Sequence, residues 1–168
     1  MKYYAVFLEP PQDLLKISNK LKKNHKRHSI SDLVNHPPHI TVLTFLDHIN
    51  NVLQNIQFKA ININITKKDY FYTKPDTYTL FLNVKNNNLL INLHSQIINL
   101  ANKNSSQIMY SHVNANWKPH LTIAQTNDIK IAQNFKNEKF NQNFLVNKIS
   151  YCVFENGIHK ELDNRYYD

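Results

Sequence analysis

The segments PHITV (residues 38–42) and PHLTI (residues 119–123) contain the same pattern twice: proline, histidine, an apolar residue, threonine and a second apolar residue. At the composition of this chain, such a pentapeptide is expected by chance about 0.003 times. Two copies therefore call for a structural or chemical reason. Because they begin 81 positions apart (119 − 38), we expect two related lobes rather than a solenoid.

The histidine and the threonine of each pattern are two residues apart, which determines where they point on a strand. Side chains at i and i+2 lie on the same face of a β-strand, so His39 shares a face with Thr41, and His120 with Thr122. The proline before each histidine has no N–H group and predicts a strand start or a bulge. If the two strands lie side by side about a pseudo-twofold axis, both imidazoles and both hydroxyls converge on one surface.

Apolar periodicity predicts strands and helices in alternation around these patterns. We expect strands over residues 3–8, 40–46, 61–65, 78–84, 121–124, 144–154 and 160–167, the last two joined by a turn at residues 155–158. Helices are expected over residues 14–21, 49–56 and 90–100, and from Asp128 onward. The length is that of one domain, so residues 1–168 are assigned to a single domain.

The composition favours an acidic partner and a reducing compartment. A formal charge of +8 and a pI near 9.5 attract anions such as nucleotides or RNA, although lysines spread along a chain more commonly form a solvated basic surface. Cys152 is the only cysteine, which excludes a disulfide within the chain and fits the cytoplasm. No signal peptide and no apolar run of roughly 20 residues is recognised, so we expect no membrane partner.

Two imidazoles and two hydroxyls on one surface suit the cleavage of a phosphodiester without a metal. A neutral imidazole takes the proton from the attacking oxygen, and a protonated one gives its proton to the leaving oxygen. The hydroxyls of Thr41 and Thr122 can donate to the non-bridging oxygens of the phosphate, although threonine also suits strands by propensity alone. Because the two patterns are nearly symmetrical, the sequence leaves open which histidine is the base.

The paired segments PHITVLTFLD (residues 38–47) and KPHLTIAQ (residues 118–125) resemble the two H-x-T/S motifs of the 2H phosphoesterase superfamily, the LigT-like or 2′,5′ RNA ligase-like group. The resemblance extends to YYAVFLEP (residues 3–10) and to TYTLFLNVKNNNLLINLHSQI (residues 77–97). It implies a bilobal, pseudo-twofold α+β fold in which antiparallel sheets line a central cleft and helices pack outside. It also implies metal-independent phosphoesterase chemistry on RNA ends, 2′–5′ linkages or cyclic nucleotides.

Position by position, the resemblance implies that His39 and His120 are the catalytic histidines and that Thr41 and Thr122 bind the phosphate. The chain departs from the family pattern at two places. Many members have glycine where Asp47 follows the first motif, and many have arginine where Gln125 follows the second. The four central residues are intact.

Residues beside the motifs are candidate substrate contacts. The indole of Trp117 can stack on a nucleobase or pack in the core, and the ammonium of Lys118 can reach a phosphate. His36 and His39 have an H-x-x-H spacing, but the two prolines between them forbid the helix that would align them as ligands. We therefore expect no metal and no cofactor.

The leading hypothesis is a phosphodiesterase that opens 2′,3′-cyclic phosphates or cleaves 2′–5′ bonds. The expected partners are RNA ends, oligonucleotides or cyclic nucleotides, and we expect a monomer. Three alternatives stay open: a viral or phage hydrolase of cyclic or 2′–5′ oligonucleotide immune messengers, a 2′–5′ RNA ligase, and an RNA-binding protein without catalysis.

Overall fold

The computed structural model describes residues 2–109, 117–155 and 158–167, which form a mixed α and β structure. The strands are β1 (Lys2–Glu9), β2 (Ile40–Phe45), β3 (Ile61–Lys74), β4 (Thr77–Val84), β5 (His120–Thr126), β6 (Gln142–Val146), β7 (Lys148–Glu155) and β8 (Ile158–Tyr166). The helices are α1 (Gln12–His25), α2 (Asn88–Lys103) and α3 (Ile129–Asn137), and none of them is long and apolar enough to span a membrane.

The strands form one antiparallel sheet with the order β6-β3-β4-β5-β2-β1-β7-β8. We call β2, β1, β7 and β8 lobe 1, and β5, β4, β3 and β6 lobe 2. The two lobes meet where Ile40 of β2 pairs with Leu121 of β5. The α+β fold with two lobes is confirmed, and the two predicted halves are joined into a single sheet.

The lobes are equivalent down to an irregularity in their strand pairing. In lobe 1, Phe7 pairs with Thr41, and the register shifts between Val6 and Phe7. In lobe 2, Phe81 pairs with Thr122, and the register shifts between Leu80 and Phe81. A bulge adds one residue to one strand and bends it locally. Each H-x-T motif therefore lies next to the same bend.

The helix and loop that precede each motif pack against the other lobe. Helix α1 precedes β2 in the chain but contacts β5, and α2 precedes β5 but contacts β2. The loops follow the same rule: the N–H of Ile30 donates to the carbonyl of Gln125 at 2.9 Å, and the N–H of Met109 donates to the carbonyl of Thr44 at 3.0 Å. Each lobe is therefore completed by the segment that precedes the other lobe's motif, so neither packs alone.

Local chemistry explains where two of the helices begin. The side chain of Asn87 accepts a hydrogen bond from the N–H of Leu90 at the start of α2, and Asp128 accepts one from the N–H of Lys130 at the start of α3. Such side chains satisfy N–H groups that have no partner inside the helix. The predicted start near Asp128 is confirmed.

Three of the predicted elements need correction. The strand expected over residues 144–154 is wrong, because β6 ends at Val146, β7 begins at Lys148, and these strands lie near opposite ends of the sheet. The helix expected over residues 49–56 is a single 3₁₀ turn, Val52–Gln54. The strand expected over residues 61–65 continues to Lys74. The predicted turn at 155–158 includes residues 156 and 157, which lie outside the described residues.

Candidate active site

The two H-x-T motifs lie on one face of the sheet, where the two lobes meet. His120 is the first residue of β5, and His39 directly precedes β2. Ile40 and Leu121, which form the pair that joins the lobes, are fully buried on the core side. Since side chains alternate along a strand, the four predicted site residues lie on the opposite face, on both sides of that pair.

Both catalytic candidates are held by the same hydrogen bond. Nδ1 of His39 lies 2.9 Å from the carbonyl oxygen of Pro37, and Nδ1 of His120 lies 2.9 Å from the carbonyl oxygen of Lys118. A carbonyl oxygen only accepts, so Nδ1 must carry the hydrogen in both rings. Nε2 is then the nitrogen that gains or loses a proton in each. The two imidazoles are thus fixed in one tautomer, and the same nitrogen titrates in both.

The rings around the two histidines differ between the lobes. The ring of His39 lies 4.0 Å from that of Phe7, centroid to centroid, and Phe7 is only 3% exposed. The ring of His120 lies 5.2 Å from Phe81 and 5.4 Å from Phe71, and Phe71 is 38% exposed. Lobe 1 therefore presents its histidine against a covered ring, whereas lobe 2 has an aromatic ring accessible to solvent beside the motif.

The environment of His39 favours the neutral imidazole. Burial lowers the pKa of His39 to about 4, against the opposing effect of the hydrogen bond to Pro37. The charges of Lys22, His159 and His36 lower this pKa further. Because desolvation and neighbouring positive charge both penalise the imidazolium, His39 is neutral at pH 7. Its Nε2 is then a hydrogen-bond acceptor, as a general base requires.

The two candidate substrate contacts before the second motif are placed differently. Trp117 is 6% exposed and its indole stacks on the ring of His94 at 4.3 Å. Of the two interpretations that the sequence left open, the structure supports packing in the core and not stacking on a substrate. The side chain of Lys118 is exposed, and its carbonyl holds His120.

The chain matches a known family over most of its length. The family model described as the 2′-5′ RNA ligase superfamily matches residues 10–157. The chain belongs to this superfamily. The resemblance inferred from the paired motifs is confirmed, and the two motifs lie inside the matched range. A search of curated protein sequences found no significant match.

Solved structures of this superfamily's fold are similar over the whole chain. TT0787 of Thermus thermophilus has a TM-score of 0.64 and 10% sequence identity, with 98% of this chain and 97% of that chain covered. E. coli LigT complexed with NADP+ has a TM-score of 0.60 and 9% identity, covering 99% and 97%. E. coli LigT complexed with 3′-AMP has a TM-score of 0.59 and 10% identity, covering 99% and 98%. At these identities the likeness shows the fold.

The superfamily motifs do not account for a stack of rings in lobe 1. Tyr3 and Phe154 stack at 4.8 Å with their planes 4° apart, and Phe154 stacks on His159 at 4.9 Å with planes 6° apart. Phe7 meets the edges of both Phe154 and His159. These residues come together through the register of β1, β7 and β8. They pack behind the ring that contacts His39, and no repeated pattern in the sequence singled out His159.

A lysine stands at the same place in each lobe, and both are ion-paired. Lys148 lies 2.9 Å from a carboxylate oxygen of Glu9 and 3.5 Å from one of Glu161. Lys67 lies 2.6 Å from Asp69. The two lysines are counterparts because Lys148 pairs with the residue two positions after Phe7, and Lys67 pairs with the residue two positions after Phe81. Because carboxylates already hold these ammonium groups, a phosphate must compete for them.

In the part of the chain that the structure describes, no three His, Cys, Asp or Glu side chains are grouped so as to hold a metal ion.

Proposed function

We propose that this protein is a metal-independent phosphodiesterase that acts on RNA-type phosphodiesters, namely 2′,3′-cyclic phosphates or 2′–5′ linkages. His39 and His120 are its acid-base pair. The observation that supports this is the matched geometry of the two rings: each uses Nδ1–H to bind the carbonyl two residues before it, which makes Nε2 the proton-exchanging nitrogen in both. Two equally oriented proton-transfer groups on one surface are what acid-base cleavage requires.

The protons balance in each proposed reaction. With a 2′,3′-cyclic phosphate, one Nε2 takes a proton from water, the water oxygen attacks phosphorus, and the other Nε2–H protonates the leaving 2′- or 3′-oxygen. With a 2′–5′ linkage, the free 3′-hydroxyl attacks instead, and the 5′-oxygen of the next nucleotide leaves, which gives a 2′,3′-cyclic end. In both, the hydroxyls of Thr41 and Thr122 donate to the non-bridging oxygens, where negative charge develops.

Two further observations favour a nucleotide substrate. The LigT structures of similar fold were solved as complexes with NADP+ and with 3′-AMP, which are both nucleotides. The formal charge of +8 raises the local concentration of anions around the protein. The resulting proposal is an enzyme of nucleotide or RNA-end metabolism, and we place it in the cytoplasm because its single cysteine needs no oxidising compartment.

The test is a substrate screen in the presence of a chelator. The substrates are 2′,3′-cyclic nucleotides, 2′–5′ and 3′–5′ oligoadenylates and cyclic oligonucleotides, and the readout is the linkage of the product. We expect turnover of a cyclic phosphate or a 2′–5′ bond that survives the chelator and is lost in His39→Gln and in His120→Gln. His28→Gln serves as the matched control, because His28 lies on the 3₁₀ turn after α1 and contacts Arg27 rather than the motifs.

Three outcomes would contradict the proposal. Turnover that the chelator abolishes indicates metal-dependent chemistry. Turnover that both histidine variants retain indicates another site. Tight binding of RNA with no turnover of any substrate indicates a binding protein on this scaffold.

A further inference from the structure

Helix α1 carries a buried lysine that bonds to the loop before the first motif. Lys22 is 5% exposed. Its ammonium donates to the carbonyl of Leu33 at 2.9 Å and to the carbonyl of His36 at 2.7 Å. Pro37 follows directly, and the carbonyl of Pro37 accepts the Nδ1–H of His39. Lys22 therefore binds the carbonyl of the residue directly before the one whose carbonyl fixes the imidazole of His39.

The corresponding position on α2 has no charge. Lys22 is the eleventh residue after Pro11, the residue that caps α1, and Ile98 is the eleventh residue after Asn87, which caps α2. Ile98 is 8% exposed, so both side chains are buried at the same level of their helices. The two lobes repeat the histidine, the threonine and the bulge, but the helices that precede the two motifs differ at this position by one positive charge.

A buried ammonium near an imidazole makes the imidazolium less favourable. The charged and titratable groups that act on His39 are Lys22 from α1, His159 from β8 and His36 from the preceding loop, and each lowers the pKa of His39. Among the three, Lys22 has the largest effect and carries a charge at the pH where His39 titrates, because burial lowers the pKa of Lys22 only to about 8.

We propose that Lys22 is a positioning residue that makes the two equivalent histidines unequal. It clamps the loop that delivers His39, and its charge adds to burial in disfavouring the imidazolium of this ring, so His39 is the general base and His120 the general acid. In hydrolysis of a cyclic phosphate, Nε2 of His39 takes the water proton and Nε2–H of His120 protonates the leaving oxygen. The assignment of roles rests on the proposed function, whereas the effect of Lys22 on proton binding at His39 does not.

The first test is a titration of the histidine rings by NMR in the free protein. In the native chain we expect His39 to bind its proton at lower pH than His120. We expect Lys22→Gln, which removes the charge but retains N–H donors, to raise the pKa of His39 by about 0.5 or more. Lys22→Arg keeps the charge and should leave this pKa low. Lys23→Gln is the matched control, because Lys23 is the next residue of α1 and is exposed.

The results separate the proposal from its alternative without the need for a substrate. His39 titrating at or above His120 in the native chain overturns the proposal, and this measurement needs no variant to fold. An unchanged pKa of His39 in folded Lys22→Gln also overturns it. A rise in Lys22→Gln with no rise in Lys23→Gln or Lys22→Arg supports it.

The second test is the pH dependence of kcat/KM with the substrate that the screen identifies. Because the base must be neutral, activity rises with pH through the pKa of the base. We expect this rise near pH 4 in the native enzyme and at higher pH in Lys22→Gln, with Lys23→Gln unchanged. If no substrate is turned over but the NMR titrations behave as expected, the proposed function fails and the effect of Lys22 stands. If turnover occurs but kcat/KM rises at the same pH in Lys22→Gln as in the native enzyme, the assignment of roles by Lys22 fails and the proposed function stands.

Discussion

Lobe 1 and lobe 2 repeat the same H-x-T motif and the same bulge, but they surround the motif differently. In lobe 1 the histidine lies against a buried ring and near a buried ammonium, whereas in lobe 2 it lies between two rings of which one is exposed. Acid-base catalysis needs two groups that are alike in position and unlike in protonation. The repeated motif gives the two histidines the same hydrogen bond, and the groups packed around them differ between the lobes.

The helices that connect the lobes show the same mixture of repetition and difference. Ser18 is the seventh residue after the cap of α1, and His94 is the seventh after the cap of α2; both are buried. Ser18 bonds to the carbonyl of Leu14 in its own helix at 2.7 Å. His94 bonds to the carbonyl of Val42 in β2 at 2.8 Å and stacks on Trp117. Of these two positions, the one on α2 is attached to the sheet and the one on α1 is not.

The largest effect is expected when either lobe loses its histidine. His39→Ala and His120→Ala should each lower kcat by about 10²- to 10⁴-fold, because each removes one of two proton transfers in the same step. The double variant should be little worse than either single variant, since the remaining histidine has no partner. Initial rates of the folded proteins measure this. If the two losses multiply in the double variant, the histidines act independently and are not an acid-base pair.

The second effect concerns stability and compares the two helix positions. His94→Ala should lower the free energy of unfolding by about 2–4 kcal/mol, because it removes a buried hydrogen bond to β2 and the ring packed on Trp117. Ser18→Ala should cost less than about 1 kcal/mol, because its hydroxyl bonds only within its own helix. Urea unfolding of both variants gives the comparison. Equal losses would contradict the inference that this level of the helix is attached to the sheet in α2 but not in α1.

The third effect is the loss of one hydroxyl from each lobe. Thr41→Val and Thr122→Val retain the β-branched shape and should lower kcat by about 10- to 100-fold, which is about 1.4–2.7 kcal/mol in the barrier. KM should change less than kcat if the hydrogen bond from the hydroxyl to the phosphate is stronger in the transition state than in the ground state. Thr73→Val is a control near the end of β3, because its hydroxyl contacts the hydroxyl of Thr79 rather than a motif residue. An increase in KM with no change in kcat would instead assign the hydroxyls to substrate binding.

The parts of the site that the sequence predicted are those determined within a few residues. The proline of each motif lies one residue before the start of β5 and two residues before the start of β2. The alternation along each strand buries Ile40 and Leu121, while His39 and His120 face the other way. The side-by-side arrangement of the two strands was a condition of the predicted site, and the pairing of Ile40 with Leu121 fulfils it.

The parts that the sequence did not predict depend on register and on the crossing of helices. No local pattern places Phe7 on His39 or brings His159 beside Phe154, because these contacts join separate strands. The break between β6 and β7 did leave a signal. The residues that face the main core are Phe144 and Val146 before the break and Ile149 and Tyr151 after it, so the alternation slips by one residue at the break.

The smallest effect is expected from the two phenylalanines that occupy equivalent positions beside the histidines. Phe7→Leu should lower the free energy of unfolding by about 1–2 kcal/mol, because Phe7 is buried among packed rings and a smaller side chain leaves a cavity. Phe81→Leu should cost less than about 1 kcal/mol, because Phe81 is only partly buried and its neighbour Phe71 is exposed. Urea unfolding measures both. If Phe81→Leu were the more destabilising of the two, then the ring beside His120 would be the structural one, and the contrast between a covered lobe 1 and an accessible lobe 2 would be reversed.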